Sequence, residues 1–211
     1  MRVGLYGGSF NPIHFGHLRA AEEDREMLGL DLLYFIPAAS PPHKPLDDLA
    51  PAEQRLSMVR LATKGNRHFM VSDAEIRRAG RSYTIDTVKH FQKSLRVPAE
   101  LHLIMGTDQF DELASWKQSA ELVGLCNIVV HTRPDADARH MRGSLATIKH
   151  FGYVREEEHY AHAGGHTLSF INTTYLPISA TMIRRKIASR ESVRYLLPDD
   201  VIEYISRHKV Y

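Results

Sequence analysis

The chain has 211 residues, enough for one α/β domain with a full core, or for one domain and a small appendage. Its 27 Lys and Arg against 25 Asp and Glu leave a formal net charge of +2, so no general affinity for nucleic acid or other polyanions is implied, and an anionic substrate must be met by local groups. The single cysteine, Cys126, lies in the apolar run Leu125 to Val130, which excludes an intrachain disulfide and fits a reducing cytoplasm. Met1 to Gly4 leads straight into a strand, so no signal peptide is expected, and no apolar run is long enough to span a membrane.

Val3 to Tyr6 reads as a buried strand, and Leu18 to Leu28 as a helix. Between them lies Gly7-Gly8-Ser9-Phe10-Asn11-Pro12-Ile13-His14-Phe15-Gly16-His17. A strand, a glycine-rich turn and a helix start offer unpaired backbone N–H groups at the positive end of a helix dipole, which suits a phosphate. Gly7 and Gly8 are expected to let the backbone turn sharply and approach a ligand. His14 and His17, three residues apart, share one face at a helix start. There they either cap the helix or donate to a polyphosphate and to the charge that grows as it breaks.

Gly29 suits a helix C-terminus, and Leu32 to Pro37 reads as the next strand, giving a βαβ unit and a parallel sheet. Pro41-Pro42-His43-Lys44-Pro45 makes a stiff loop, with Lys44 either solvated or facing an anionic substrate. Pro51 opens a helix over Ala52 to Thr63 with Leu56, Met58 and Val59 on its core face, and Phe69 to Asp73 is a third strand. Glu75 to Arg81 reads as a polar surface turn, and the next helix runs to about Leu95 with Ser82 or Thr84 as N-cap.

Leu101 to Met105 is a buried strand followed by Gly106-Thr107-Asp108, where parallel sheets bind ligands. On spacing alone, Asp108 is better read as the cap of a short helix over Asp108 to Leu113. Trp116 is either a packing anchor or a platform for a flat ring. Ile128 to His131 is a fifth strand, Asp135 to Gly165 reads as a mobile polar loop or insertion, and Thr167 to Thr173 is a last strand. His159, His162 and His166 have a spacing that tempts a metal reading, yet adjacent glycines and absent cysteines favour the loop. In Pro177 to Ile187, Ser179 is an N-cap, Thr181 lies in the first turn, and Arg184 opposes the helix dipole and so needs an anionic partner. A final helix runs from Asp199 to His208.

His14-Phe15-Gly16-His17 resembles the (T/H)xGH signature of the nucleotidyltransferase superfamily, with Asn11 where an acidic residue is usual. Ile178 to Arg184 resembles its ISxTxxR motif, which binds the β- and γ-phosphates of ATP. Gly7-Gly8-Ser9-Phe10, Pro41 to Lys44, Ser82 to Thr87, Gly106 to Asp108, Trp116-Lys117 and Leu197 to Ile205 make the chain similar to the bacterial nicotinate-nucleotide adenylyltransferases over nearly its whole length.

The resemblance implies a Rossmann-like, doubly wound parallel α/β sheet with helices on both faces. It also implies one domain over 1–211, whose helical part from about 175 carries the second motif. It implies adenylyl transfer from ATP, with Mg2+, to nicotinate mononucleotide, giving deamido-NAD and pyrophosphate in the cytoplasm. His14, His17 and Arg184 would be catalytic, and Gly8, Ser9, Phe10, Gly106, Asp108, Ser179 and Thr181 would join them around ATP. Lys44, Thr84, Trp116 and Lys117 would hold the nicotinate nucleotide. No protein metal site, nucleic acid or membrane is implied, and a homo-oligomer is allowed. The rivals are another acceptor, such as phosphopantetheine, and a sensor that holds ATP without turnover.

Overall fold

The computed structural model describes residues 1–41, 49–78, 80–132 and 138–211, with side chains described for all of these except 138–142. The strands are β1 (Arg2–Gly8), β2 (Leu32–Pro37), β3 (Phe69–Val71), β4 (Glu100–Gly106), β5 (Asn127–Thr132), β6 (Val154–Arg155), β7 (Tyr160–Ala161) and β8 (Thr167–Asn172). They form one sheet in the order β3-β2-β1-β4-β5-β8-β7-β6. The six strands from β3 to β8 in that order run parallel, and β7 and β6 close the edge antiparallel.

The helices are α1 (Phe15–Met27), α2 (Ala52–Thr63), α3 (Ala74–Arg77), α4 (Thr84–Ser94), α5 (Thr107–Asp111), α6 (Ser119–Leu122), α7 (Ala138–His150), α8 (Ala180–Ala188) and α9 (Asp199–His208). Alternation along the strands sorts the core into two layers. Leu103, Met105, Ile128 and Val130 face Val88 and Phe91 of α4, Phe110 of α5 and Ile148 of α7. Ile104, Val129 and Phe35 face Ala21 of α1, Met58 and Val59 of α2, Ile183 of α8 and Val201 of α9. This is the doubly wound arrangement that the motifs imply.

The strand order reverses direction between β1 and β4. Helices leave these neighbouring strands toward opposite faces, so a crevice opens at their carboxyl ends. Both glycine-bearing turns of the sequence, after β1 and after β4, meet there.

Several local expectations change. Residues 138–165 are not a loop: α7 packs against α5, where Ser144 donates to Asp111 at 2.9 Å, and β6 and β7 extend the sheet. Glu75 to Arg81 is not simply surface, because Glu75 on the one-turn α3 is buried and accepts from Thr87 at 2.6 Å. Neither Ser82 nor Thr84 caps α4. Tyr83 stands at the N-cap without a side-chain bond, while Ser82 accepts the backbone N–H groups of Ala39 and Ser40 at 2.9 and 3.3 Å. Cys126 is fully buried, and its thiol is pushed up to about 12 by burial. Among the described residues no helix is long and apolar enough to cross a membrane.

Phe110 is fully buried and meets Phe170 edge-on at 5.5 Å, joining α5 to β8. Phe110→Ala should cost about 3–5 kcal/mol. Urea denaturation checks this as a lower midpoint with an unchanged slope.

Candidate active site

β1 keeps its strand pairing through Gly7 and Gly8, which lie opposite Ile36 and Pro37 of β2. The chain turns after them, at Phe10, whose φ is +44° and whose ring is buried. This corrects the expectation that the glycines make the turn. Gly8 has another reason to be glycine: a Cβ there would meet the Phe10 ring at 3.0 Å.

His14 is the N-cap of α1 in extended conformation, and its backbone N–H donates to Nδ1 of His17 at 3.3 Å. That bond leaves the proton of a neutral His17 on Nε2. The two imidazoles stack, with centroids 3.7 Å apart and planes 29° apart. A Cβ on Gly16 would come within 3.0 Å of the His14 ring, so glycine in the signature makes room for the stack. His14 is buried and its Nδ1 has no partner among the described residues. Burial holds its pKa down at about 4, so the ring is neutral at physiological pH.

The second motif meets this turn directly. Ser179 caps α8 by accepting Met182 N–H at 3.1 Å. Arg184 of α8 donates to the backbone oxygen of Asn11 at 2.9 Å, and Thr181 lies 3.5 Å from its other nitrogen. The Asn11 side chain accepts from Ala50 N–H at 3.0 Å and from the Tyr211 hydroxyl at 2.8 Å. A neutral amide therefore serves as an acceptor where an acidic residue is usual.

Two cavities of about 560 Å³ each flank the end of β1 and share Gly7, Gly8, Ser9 and Gln109. One is polar and carries His14, His17, Ser179, Thr181 and Arg184, then extends to Gly106, Asp108 and His131. The other is apolar, with Tyr83, Thr84, Trp116 and Lys117 around Leu103 and Met105. The Trp116 indole N–H there is sealed from solvent without a protein partner among the described residues. Lys117 donates to Asp86 at 3.1 Å and sits 4.5 Å from the centre of the Tyr83 ring. Its charge is therefore partly committed within the protein. Thr84 is the first residue of α4 and lines this cavity, and the opening amides of a helix include donors without intrahelical partners.

Residues 5–186 match the cytidylyltransferase-like family. A probable nicotinate-nucleotide adenylyltransferase of Geobacter metallireducens is 43% identical over 213 residues, covering 100% of this chain and 98% of that protein. One of Geotalea daltonii is 44% identical over 214 residues, with the same coverage. The chain belongs to the nicotinate-nucleotide adenylyltransferases, within the cytidylyltransferase-like family. Its fold is also that of the Plasmodium falciparum nicotinic acid mononucleotide adenylyltransferase complexed with NaAD, at a TM-score of 0.74 and 16% identity, covering 100% of this chain and 97% of that one.

Of the residues singled out in the sequence, Gly8, Ser9, Phe10, His14, His17, Gly106, Asp108, Ser179, Thr181 and Arg184 line the polar cavity of this adenylyltransferase. Thr84, Trp116 and Lys117 line the apolar one. Lys44 lies outside the described residues. Asp108 falls inside the first turn of α5 rather than at its cap.

Sequence reasoning missed two buried polar groups. Arg55 is 1% exposed and donates to the backbone oxygens of Ala50, Ser9 and Ala39 at 2.8, 2.8 and 3.3 Å. Its signal was present, since Arg55 shares the core face of α2 with Val59 at i, i+4. Asp24 is fully buried on α1, with both carboxylate oxygens 2.8 Å from Nε2 of His131. Burial pushes the Asp24 carboxyl up, and the His131 bond pulls it back.

His14 titrates near 6.5 when unfolded and near 4 when folded, so the unfolded chain binds more protons between those values. The stability that a neutral His14 permits is complete above about pH 6.5 and falls away as the pH drops toward 4, by about 3 kcal/mol in all. His14→Asn should remove that component. Denaturant unfolding of both proteins at pH 7.5 and pH 5 checks it, with a smaller acid loss expected in the variant.

Proposed function

We propose that the enzyme transfers the adenylyl group of ATP to the 5′-phosphate of nicotinate mononucleotide, releasing pyrophosphate and forming deamido-NAD. The observation that carries this reading is the pair of cavities meeting at Gly7 to Ser9. One is lined by phosphate-binding groups and the other by an apolar, aromatic wall. A triphosphate on one side and a nucleotide monophosphate on the other bring their phosphates together at the shared wall.

The acceptor phosphate is already ionised, so no general base is required. Its oxygen attacks the α-phosphorus in line as the bond to the β-phosphate oxygen breaks, and the electron pair leaves with pyrophosphate. The work is alignment of two polyanions and neutralisation of growing charge. His17, with its tautomer set by the His14 N–H, presents Nε2–H to the α-phosphate. Ser179, Thr181, Arg184 and the N-terminus of α8 hold the β- and γ-phosphates. Backbone at Gly8, Ser9 and Phe10 lines the phosphates, and Gly106 and Asp108 lie along the nucleoside.

Thr84, Trp116 and Lys117 receive the nicotinate ring, with α4 amides on its carboxylate. A carboxylate accepts from such donors, whereas an amide nitrogen would face a donor with no acceptor.

Mg2+ would arrive with ATP. Such a cation is bound mainly by phosphates and water, with one or two carboxylates. Asp108 is the carboxylate that the polar cavity offers it. The cation would neutralise charge on the triphosphate. A single working domain over 1–211 and a cytoplasmic location belong to the same proposal. The packing of α8 and α9 on the sheet supports the first, and the buried, unpaired Cys126 supports the second.

Pyrophosphate release with ATP and Mg2+ should be fast with nicotinate mononucleotide and much slower with nicotinamide mononucleotide or phosphopantetheine. Fast release with phosphopantetheine would overturn the acceptor assignment. His17→Ala should lower kcat by roughly a hundredfold or more with little change in Tm, as for loss of one transition-state donor. Near-normal turnover in that variant would remove His17 from the mechanism.

A further inference from the structure

The Asp24–His131 pair is a buried titratable couple that the mechanism above does not use. Asp24 is fully buried, and both its oxygens lie 2.8 Å from one ring nitrogen of His131. A buried carboxylate needs a donor, so Nε2 of His131 carries a proton. The rest of His131 is also fixed. Its backbone oxygen accepts from the Thr107 hydroxyl at 2.8 Å, and the edge of Tyr6 packs 5.9 Å from its ring. The side chain is 13% exposed and lines the polar cavity at the end of β5. Nδ1 has no hydrogen-bond partner among the described residues and is not among the sealed atoms, so it opens to that cavity. In a neutral imidazole protonated on Nε2, Nδ1 is an acceptor.

Position decides what it could accept from. The phosphate-binding groups lie at one end of the polar cavity, around His14, His17 and Arg184. His131 pairs in register with Gly106 at the end of β5, two strands across the sheet from β1 and its turn, and the Tyr6 ring contacts both His17 and His131. A nucleotide with its triphosphate on the turn has its nucleoside at this end.

We propose that His131, oriented by Asp24, is a nucleoside-recognition residue whose Nδ1 accepts a hydrogen bond from a donor on the nucleotide, either the exocyclic amine or a ribose hydroxyl. Asp24 is the positioning residue: it sets which nitrogen bears the proton and so makes the cavity-facing atom an acceptor. The proposal rests on ATP occupying the polar cavity.

Asp24→Asn keeps the side-chain shape but donates to Nε2, which moves the ring proton to Nδ1 and turns the acceptor into a donor. This variant and His131→Ala should each raise the ATP KM and the ATP Kd roughly three- to tenfold, the size of one lost neutral hydrogen bond. The kcat at saturating ATP should fall less, and the KM for nicotinate mononucleotide should hold. His131→Gln, which offers both a donor and an acceptor, should recover part of the loss. Purine riboside triphosphate, 2′-deoxy-ATP and 3′-deoxy-ATP identify the donor. The analogue that lacks it should bind wild type more weakly than ATP does, and bind His131→Ala no more weakly than ATP does.

Calorimetric Kd values for ATP, read beside turnover, keep the two proposals apart. Wild type that binds ATP without releasing pyrophosphate would overturn the reaction, and the Kd comparison would still decide the dyad. Variants that keep the wild-type ATP Kd and analogue ranking would overturn the dyad. So would variants that lose affinity for both substrates alike as Tm falls, because that pattern marks a purely structural pair.

Discussion

The site depends on a buried guanidinium. Arg55, from the first turn of α2, gives its hydrogen bonds to three backbone oxygens: Ser9 in the turn after β1, Ala39 beyond β2, and Ala50 before α2. None of these segments is in regular secondary structure at the bonded residue. Taking a charge out of water costs several kcal/mol, and charge-assisted bonds of about 1.5–3 kcal/mol each offset much of that. The net contribution to stability is therefore small. What the arrangement secures is position, because the positive charge cannot be re-satisfied if any of the three segments drifts. Burial lowers the Arg55 pKa, and the nearby Tyr211 opposes that shift.

Asn11 carries the same constraint to the other end of the chain. Its backbone oxygen accepts from Arg184, 173 positions away, and its side chain accepts from Ala50 and Tyr211. The turn after β1 and the start of α8 are thus joined by a direct hydrogen bond and by a shared hub. Arg184 near the start of α8 opposes the helix dipole, and the Asn11 oxygen satisfies only part of its fork. In the proposed reaction the remaining donors face the β- and γ-phosphates, and an amide in place of the usual acid keeps the acceptor while removing a negative charge beside them.

The sequence disclosed the fold wherever a period or a fixed turn chemistry governed it. β2, α2 and α9 have the bounds that their apolar spacing and flanking prolines indicate. The Ser179 cap is also as expected, because a serine before an amphipathic run has few other roles. Three kinds of feature stayed hidden. Short strands that add to an existing sheet edge, β6 and β7, carry too few residues to show a period. Strain was misplaced: a phenylalanine, not a glycine, takes the left-handed turn, because its ring is gripped by Tyr6, Phe35 and His17. Polar residues on core faces are the third: spacing with Val59 marks the face of Arg55, but its partners, like that of Asp24, come from distant segments. Such partners are set by tertiary contact and leave no local trace.

The stacked histidines share one turn but sit at different depths. At 3.7 Å between ring centres, two positive charges would repel strongly in a partly dry site. Burial of His14 settles this by keeping that ring neutral. His14 then acts on His17 through its backbone, since its N–H holds the His17 Nδ1 lone pair and leaves Nε2 as the donor atom. His17 is pre-set in tautomer and orientation before substrate arrives, with an uncharged ring beside it in the stack. In the proposed reaction that preset donor sits where negative charge grows, at the α-phosphate. In that proposal the division of labour follows from depth: the deeper ring sets geometry, and the shallower one meets the charge.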